Sequence, residues 1–319
     1  MSSFASVGSV GELLVEFVCT SRNGRHRKAG AYAGPYPSGA PAIFIDQAAQ
    51  VGGRCVFVGA VGDDAFGQVE LERLAEHGVD TRLITIHPGF PTGSAFVSYN
   101  DDGSRDFVYN ITHSAASRFE TNDATTAALL DFGLDALHVS GSALADADMA
   151  QKVLRLATAL HGAGVAITFD PNVRKELVGN PAYFRAVEEM MRRAAIFLPS
   201  EEDAEALFPG RALEDYASEL FASGARAVAL KRGGKGSQAL SRDGEQASFG
   251  AHDVTVLDPT GAGDCFCATF VTLWLKGAFG LRDALARANA AGALAVTKVG
   301  PMEGNSDLAA IEALLRKSS

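Results

Sequence analysis

The 319-residue sequence has only four cysteines, Cys19, Cys55, Cys265 and Cys267, with no CxxC pair and no histidines at matching intervals. A disulfide framework and a zinc site are both excluded by that pattern. Cys265 and Cys267 fall two apart on an expected helix, so they face different ways and cannot share a metal. Positive charge is also scarce: 28 Lys and Arg against 38 Asp and Glu leave a formal net charge of −10. The one basic cluster, residues 22–28, reads as a solvated loop, and the basic footprint that nucleic-acid affinity requires is missing. No apolar run reaches membrane-spanning length, and the N-terminus has no basic segment followed by an apolar stretch. The expectation is a soluble, cytoplasmic protein without membrane or nucleic-acid partners. GxxxxGK[ST] is absent, which excludes a P-loop, and Gly8 and Gly11 do not complete GxGxxG. The single tryptophan, Trp274, lies in an apolar helix and reads as core. There is no repeat, low-complexity tract or linker.

What is present suits a large core. Hydrophobic residues make up 47% and charged residues 21% of a chain long enough for one large α/β domain or two ordinary ones. Residues 7–17 carry an apolar strand signal broken by Gly8 and Gly11, and residues 19–38 read as an irregular or β-type excursion. Pro41 opens a helix that Gly52-Gly53 ends. Residues 55–59 form a short buried strand, and 66–77 an amphipathic helix with Phe66, Val69 and Leu74 inward. Residues 95–99 and 105–109 alternate around Asn100-Asp101-Asp102-Gly103, a hairpin signal. From about residue 125, strands near 137–140, 165–170, 195–198 and 227–231 alternate with helices near 146–161, 181–193, 201–208, 213–223, 281–298 and 306–317. Such alternation predicts a parallel sheet covered on both faces, with a small β lid made from the two departing segments.

In parallel α/β sheets, ligands gather beyond the carboxyl ends of the strands. Three of these ends carry Asp170-Pro171-Asn172-Val173-Arg174, Pro199-Ser200-Glu201-Glu202-Asp203 and Lys231-Arg232-Gly233-Gly234-Lys235-Gly236. A fourth stretch, Asp258-Pro259-Thr260-Gly261-Ala262-Gly263-Asp264, stands between a strand expected at Val254, Val256 and Leu257 and a buried helix over 266–275. Free backbone N–H groups and the positive end of a helix dipole at such a corner favour a bound phosphate. An acid in a first turn also stabilises any helix, and glycines suit any tight turn, so spacing alone leaves both readings open. Ser200 to Asp203 equally reads as a capped helix start, Lys231 to Gly236 as a plain turn, and Arg174 as a surface ion pair. His113 and His138 read as structural. The combined inventory suits phosphoryl transfer, in which catalysis is mostly positioning and charge neutralisation.

With these motifs the chain resembles PfkB (ribokinase-like) carbohydrate kinases over nearly its whole length. The most specific match is the D-T-x-G-A-G-D type run at residues 258–264. Ser38-Gly39-Ala40-Pro41 through Gly52, then Val61-Gly62-Asp63-Asp64-Ala65-Phe66-Gly67, resemble the N-terminal signature. Asp170, Asn172 and Arg174 resemble the D-x-N-x-R element, and Ser200 and Asp203 the N-x-x-E element. The resemblance implies a three-layer αβα kinase domain over residues 1–319, with lid segments at about 12–38 and 92–111. Asp264 would be the catalytic base on a sugar hydroxyl, and the N–H groups of Gly261, Ala262 and Gly263 would hold the transferring phosphoryl group. Lys231, Gly233 and Gly236 would line the ATP phosphates, and Asn289 would border the adenosine. Ser200, Glu202 and Asp203 would orient Mg²⁺ through water. Arg174 would lie near the transferred phosphate or the substrate, and the family often uses a monovalent cation such as K⁺, to which Asp258 and Thr260 would contribute. The exposed lid edge implies a homodimer.

Four departures bear on the substrate. Ser38-Gly39 replaces a Gly-Gly pair, Ile43 a sugar-contacting Asn, Ser200 and Asp203 the Asn and Glu of N-x-x-E, and Glu16 an Asp that binds sugar hydroxyls. Gly11-Glu12-Leu13-Leu14 and Leu230-Lys231-Arg232-Gly233 are similar to 2-keto-3-deoxygluconate kinases. The lid stretch Tyr109-Asn110-Ile111-Thr112-His113, however, lacks the arginine that would receive a substrate carboxylate. Residues 34–41 are similar to proteins described as tagatose kinases. The implied activity is ATP-dependent phosphorylation of the primary hydroxyl of a ketohexose such as tagatose or fructose, or of 2-keto-3-deoxygluconate. The alternatives are a nucleoside or vitamin kinase, with Phe96, Phe107 and Tyr109 as a base pocket, and a catalytically silent nucleotide-binding regulator.

Overall fold

The computed structural model describes residues 4–24, 26–102, 104–173, 177 and 179–317. A nine-stranded sheet forms its centre. In chain order the strands of that sheet are β1 (Ser6–Val10), β4 (Arg54–Gly62), β5 (Ile84–His87), β8 (Ala136–Ser140), β9 (Ala166–Asp170), β10 (Ala194–Phe197), β11 (Ala227–Lys231), β12 (Ser237–Ser241) and β13 (Gln246–Phe249). Their spatial order is β13-β12-β11-β10-β9-β8-β1-β4-β5. Strands β5 to β11 in that row pair parallel, while β12 and β13 add an antiparallel edge. Runs such as Ala-Ile-Thr-Phe in β9 are apolar without alternation because helices cover both faces.

One helical layer holds α1 (Ala40–Gln50), α8 (Ala262–Trp274), α9 (Leu281–Ala295) and α10 (Leu308–Lys317), and its apolar side chains form one core with Val7, Phe57 and Ile196 of the sheet. On the opposite face, α3 (Asp123–Asp131), α4 (Ala147–Gly162), α5 (Pro181–Arg193) and α7 (Leu213–Ala222) pack on Val10, Leu137 and Phe169. Two further helices, α2 (Ala65–Glu76) and α6 (Glu201–Leu207), start at strand ends. No described helix is long and apolar enough to cross a membrane.

A second sheet of four strands stands apart. It comprises β2 (Leu14–Cys19), β3 (Tyr32–Ser38), β6 (Gly93–Tyr99) and β7 (Arg105–Asn110), in the order β3-β2-β6-β7. These are the two segments that depart from the alternation in sequence. The parallel pair β2–β6 joins two antiparallel hairpins.

Four local readings change. The signal at 7–17 is two strands in different sheets, because Gly11 at φ 147° turns the chain between them and its missing Cβ makes room for Pro41. The hairpin β12–β13 was not anticipated. In α2 the buried residues are Gly67, Glu70 and Leu74, whereas Phe66 is half-buried against Phe17. No strand leads into residues 258–264: the stretch from Gly250 to Leu257 pairs with no ladder, and Val256 and Leu257 are 60% and 53% exposed. Apolar, β-branched composition alone does not make a strand.

Candidate active site

The first turn of α8 lies at one side of the sheet's carboxyl ends. Its N-cap, Gly261, has φ 84°, and a Cβ there would come within 2.4 Å of the Pro301 carbonyl oxygen. Only glycine fits both the left-handed backbone and that approach. Among the described residues no side chain caps this helix, so the N–H groups of its first turn, including those of Ala262 and Gly263, are left to the corner. Asp264 follows within the same turn, 8% exposed. Ahead of it, fully buried Asp258 accepts N–H bonds from Thr260 at 2.9 Å and Gly300 at 3.0 Å. These bonds tie both walls of the corner together.

A cation lies beneath the corner. The Lys231 ammonium, at the end of β11, hydrogen-bonds Asp170 at the end of β9 and lies 3.5 Å from where a Cβ on Gly263 would stand. Cys267 Sγ sits 3.4 Å from the same Asp170 oxygen and 3.5 Å from the ammonium. Burial opposes the charge of Lys231, but the Asp170 carboxylate overrides it and holds the ammonium's pKa above its ordinary value. The two polar strand ends anticipated separately are thus one ion pair.

Beside the corner is a cavity of about 490 Å³, lined by Lys231, Gly233, Gly236, Gly263 and Asn289. Gly236, at φ 92°, lets the turn lie against Phe249, where a Cβ would meet a carbonyl oxygen at 2.0 Å. Residues 231–236 are both a hairpin turn between β11 and β12 and a wall of this cavity, so the two sequence readings coexist. Asn289 on α9 donates to the Gly250 carbonyl at 2.7 Å, which fixes the unpaired segment that forms the far wall.

A second, open cleft of about 1850 Å³ lies between the small sheet and the body, and Glu12, Phe66, Arg105, Tyr109, Asn110 and Glu202 line it. Asn110 donates to Ser94 Oγ at 3.3 Å. Gly39, at φ 112°, caps α1 with its backbone against the Glu12 carbonyl. Glu70 on α2, pushed well above the carboxylate range by full burial, accepts the Ser38 N–H at 2.9 Å and so fixes the adjoining end of β3. Glu16 on β2 is 3% exposed, and its Oε1 has no hydrogen-bond partner among the described residues. Burial, then the charge of Asp258, raise the Glu16 pKa to about 8.

The acidic cluster at α6 divides. Asp203 and Ser200 form a reciprocal capping box, in which the Asp203 carboxylate accepts Ser200 N–H at 2.8 Å and Ser200 O–H at 2.7 Å. Its other oxygen accepts Val173 N–H at 2.8 Å. Asp203 is therefore fully engaged by the protein, and Glu202 is the acid that faces the cleft. No group of three or more His, Cys, Asp or Glu side chains suited to hold a metal occurs among the described residues. That donor set fits a Mg²⁺ ion carried on phosphate and held through water, the usual preference of this ion, rather than a protein cage. Arg174 lies outside the described residues.

Two contacts had no signal in the sequence. Tyr99, the last residue of β6, donates its hydroxyl to Asp258, and Arg105 Nη1 lies 3.4 Å from Thr260 Oγ1. Both pairs join residues more than 150 positions apart, beyond any local pattern.

A glycine-constrained helix start with a buried acid in its first turn, beside a pocket walled by Lys231, Gly233 and Gly236, fits a small-molecule kinase. The chain belongs to the PfkB family of carbohydrate kinases: residues 5–308 match the family model described as "pfkB family carbohydrate kinase". It is 32% identical to the 2-dehydro-3-deoxygluconokinase of Thermoproteus tenax over 83% of this chain and 81% of that protein. A solved structure described as a putative ribokinase II from E. coli with ATP and Mg²⁺ is 38% identical, with a TM-score of 0.91, covering 98% of this chain and 99% of that one. A fructokinase double mutant from Vibrio cholerae, bound to fructose, ADP and potassium, is 25% identical with a TM-score of 0.79, covering 99% and 100%. The expected fold and enzyme class, an ATP-dependent sugar kinase on a ribokinase-like αβα body, are borne out by these similarities.

Proposed function

We propose that the protein transfers the γ-phosphoryl group of ATP to the primary hydroxyl of a neutral ketohexose, with residues 1–319 acting as one kinase domain. The observation that carries this reading is the α8 corner, whose glycine-constrained N–H groups open beside the 490 Å³ pocket while Asp264 occupies the same helical turn. ATP would lie in that pocket, its phosphates along Gly233 and Gly236 and its adenosine against Asn289. The Lys231 ammonium lies beneath the corner and offsets phosphate charge. Asp264 takes the proton of the sugar hydroxyl as its oxygen attacks the γ-phosphorus, and the corner N–H groups stabilise the migrating charge. Mg²⁺, when bound to the phosphates, neutralises part of their charge. Glu202 faces the cleft where it could be oriented, and Ser200 and Asp203 support the start of that helix. A monovalent cation would sit by Asp258 and Thr260.

Glu16, with a buried oxygen that has no partner among the described residues, suits a sugar hydroxyl; Asn110 lines the cleft, and Gly39 packs against Glu12 of its wall, both as further sugar contacts. Among the described residues of the cleft wall, Arg105 and His113 are the basic ones, against Glu12, Asp64, Asp106, Asp146 and Glu202. An acidic wall favours a neutral sugar over an anionic one. A 2-keto-3-deoxy sugar acid is the second reading, favoured by the identity to the Thermoproteus tenax enzyme and by Arg105. Arg174 completes the reading as a phosphate or substrate contact. The small sheet acts as a lid, and its exposed edge strand β7, with Val108 46% exposed, suits pairing with a second copy. We place the activity in the cytoplasm, where ATP is plentiful.

A coupled ADP-release assay over ketohexoses, pentoses, adenosine and 2-keto-3-deoxygluconate tests the substrate; preference for adenosine would overturn the sugar reading. Asp264→Asn is expected to lower turnover by about a hundredfold or more while nucleotide binding persists. Near-normal turnover in that variant would overturn the assignment of the base. Light scattering that shows only monomer at micromolar concentration would count against the dimer.

A further inference from the structure

Asp258 accepts three hydrogen bonds, and their origins differ. Two come from N–H groups of the corner itself, on Thr260 and Gly300. The third comes from the small sheet, where the Tyr99 hydroxyl donates to Oδ1 and lies 3.2 Å from Thr260 Oγ1. Arg105 stands directly opposite Tyr99 in the β6–β7 register, and its Nη1 is 3.4 Å from the same Thr260 oxygen. Both flanks of one hairpin turn thus land on residues 258 and 260, immediately ahead of the Gly261 cap. Asp258 is wholly buried and Tyr99 is half-buried, so this contact is largely shielded from water.

We infer that Tyr99 is a positioning residue that fastens the small sheet to the phosphate corner, so that the phosphoryl group passes to the sugar and not to water. The inference rests on the kinase reading above. In productive turnover the sugar oxygen bonds to the γ-phosphorus, the bond to the β–γ bridging oxygen breaks, the hydroxyl proton goes to Asp264, and ADP leaves. When the sheet stands off the corner, a water oxygen forms the same bond, its proton takes the same path, and the products are inorganic phosphate and ADP. Each route consumes one ATP, so the ratio of phosphate to ADP reports fastening independently of rate. A closed site derives much of its selectivity against hydrolysis from excluding water.

Tyr99→Phe removes the donor, keeps the ring, and leaves Asp258 with its two N–H partners. The test measures ADP and inorganic phosphate release by the wild-type enzyme and this variant, with ATP and the best sugar of the panel, alongside thermal melts. In Tyr99→Phe the phosphate share is expected to rise about tenfold, the scale of one hydrogen bond to a charged group. The KM for sugar rises in parallel, while the KM for ATP and the melting temperature stay near wild type. An unchanged phosphate share and sugar KM in the folded variant overturn the inference. Should Tyr99→Phe fail to fold, Arg105→Met carries the test: a smaller rise of the same sign supports the inference, and none overturns it. A wild-type enzyme that phosphorylates no sugar overturns the kinase reading and this inference with it. An active enzyme with unaltered coupling in the variants overturns the fastening alone.

Discussion

Lys231 and Asp170 form a buried ion pair under the first turn of α8, with side-chain exposures of 13% and 3%. The two residues end neighbouring regions of the sheet and meet where the chain is proposed to hold phosphate. The pair has a structural and an electrostatic consequence, and the two can be separated.

Lys231→Met strands the Asp170 charge in the interior and is expected to cost about 3–5 kcal/mol of stability. Adding Asp170→Leu removes the uncompensated charge and should restore most of the melting temperature. Turnover should stay at least about tenfold low in the double variant, since the cation beneath the corner is still gone. Calorimetry with steady-state kinetics checks both halves. Full recovery of turnover would show the pair to be structural only.

Gly261→Ala meets a left-handed backbone and a carbonyl oxygen at 2.4 Å. Strain of this kind costs about 1–3 kcal/mol. The larger effect should be catalytic: a displaced helix start misaims the N–H groups, so kcat should fall at least about tenfold with a smaller change in sugar KM. Steady-state kinetics at fixed temperature resolve the two.

Glu16 predicts a pH dependence. Its pKa is about 8 in the folded chain against an ordinary 4.5, so the folded state holds a proton that the unfolded state releases. Stability from this group is complete below about pH 4.5 and is lost as pH rises towards 8. Between pH 5 and 8 the wild-type melting temperature should therefore fall more steeply than that of Glu16→Gln. Parallel melting curves for the two proteins would contradict the burial of this carboxyl.

The second half of the chain was legible because its strands and helices alternate with apolar runs of the right lengths. The α8 corner was legible because glycines at Gly261 and Gly263 with Asp264 form a compact local pattern. Other features were not, for physical reasons. Val254 to Leu257 look like a strand but pair with no ladder, which composition alone does not reveal. The division of residues 7–17 between two sheets depends on which partner each half meets. Glu70 is not among the inward positions Phe66, Val69 and Leu74 that the helix pattern picks out, yet it is buried and accepts the Ser38 N–H, a contact that only the folded chain makes. Tyr99 and Asp258 meet only once the whole chain has folded.

The parallel pairing of β2 with β6 places Leu14 beside Gly93, although α1, β4, α2 and β5 lie between them in the chain. Each hairpin of the small sheet is local, but their union closes a long loop, which costs entropy until the body has brought the ends together. The small sheet is therefore expected to assemble last and open first, which native-state hydrogen exchange would check. Damage anywhere in the body that loosens those ends should appear as a weakened grip on the sugar before the protein as a whole unfolds.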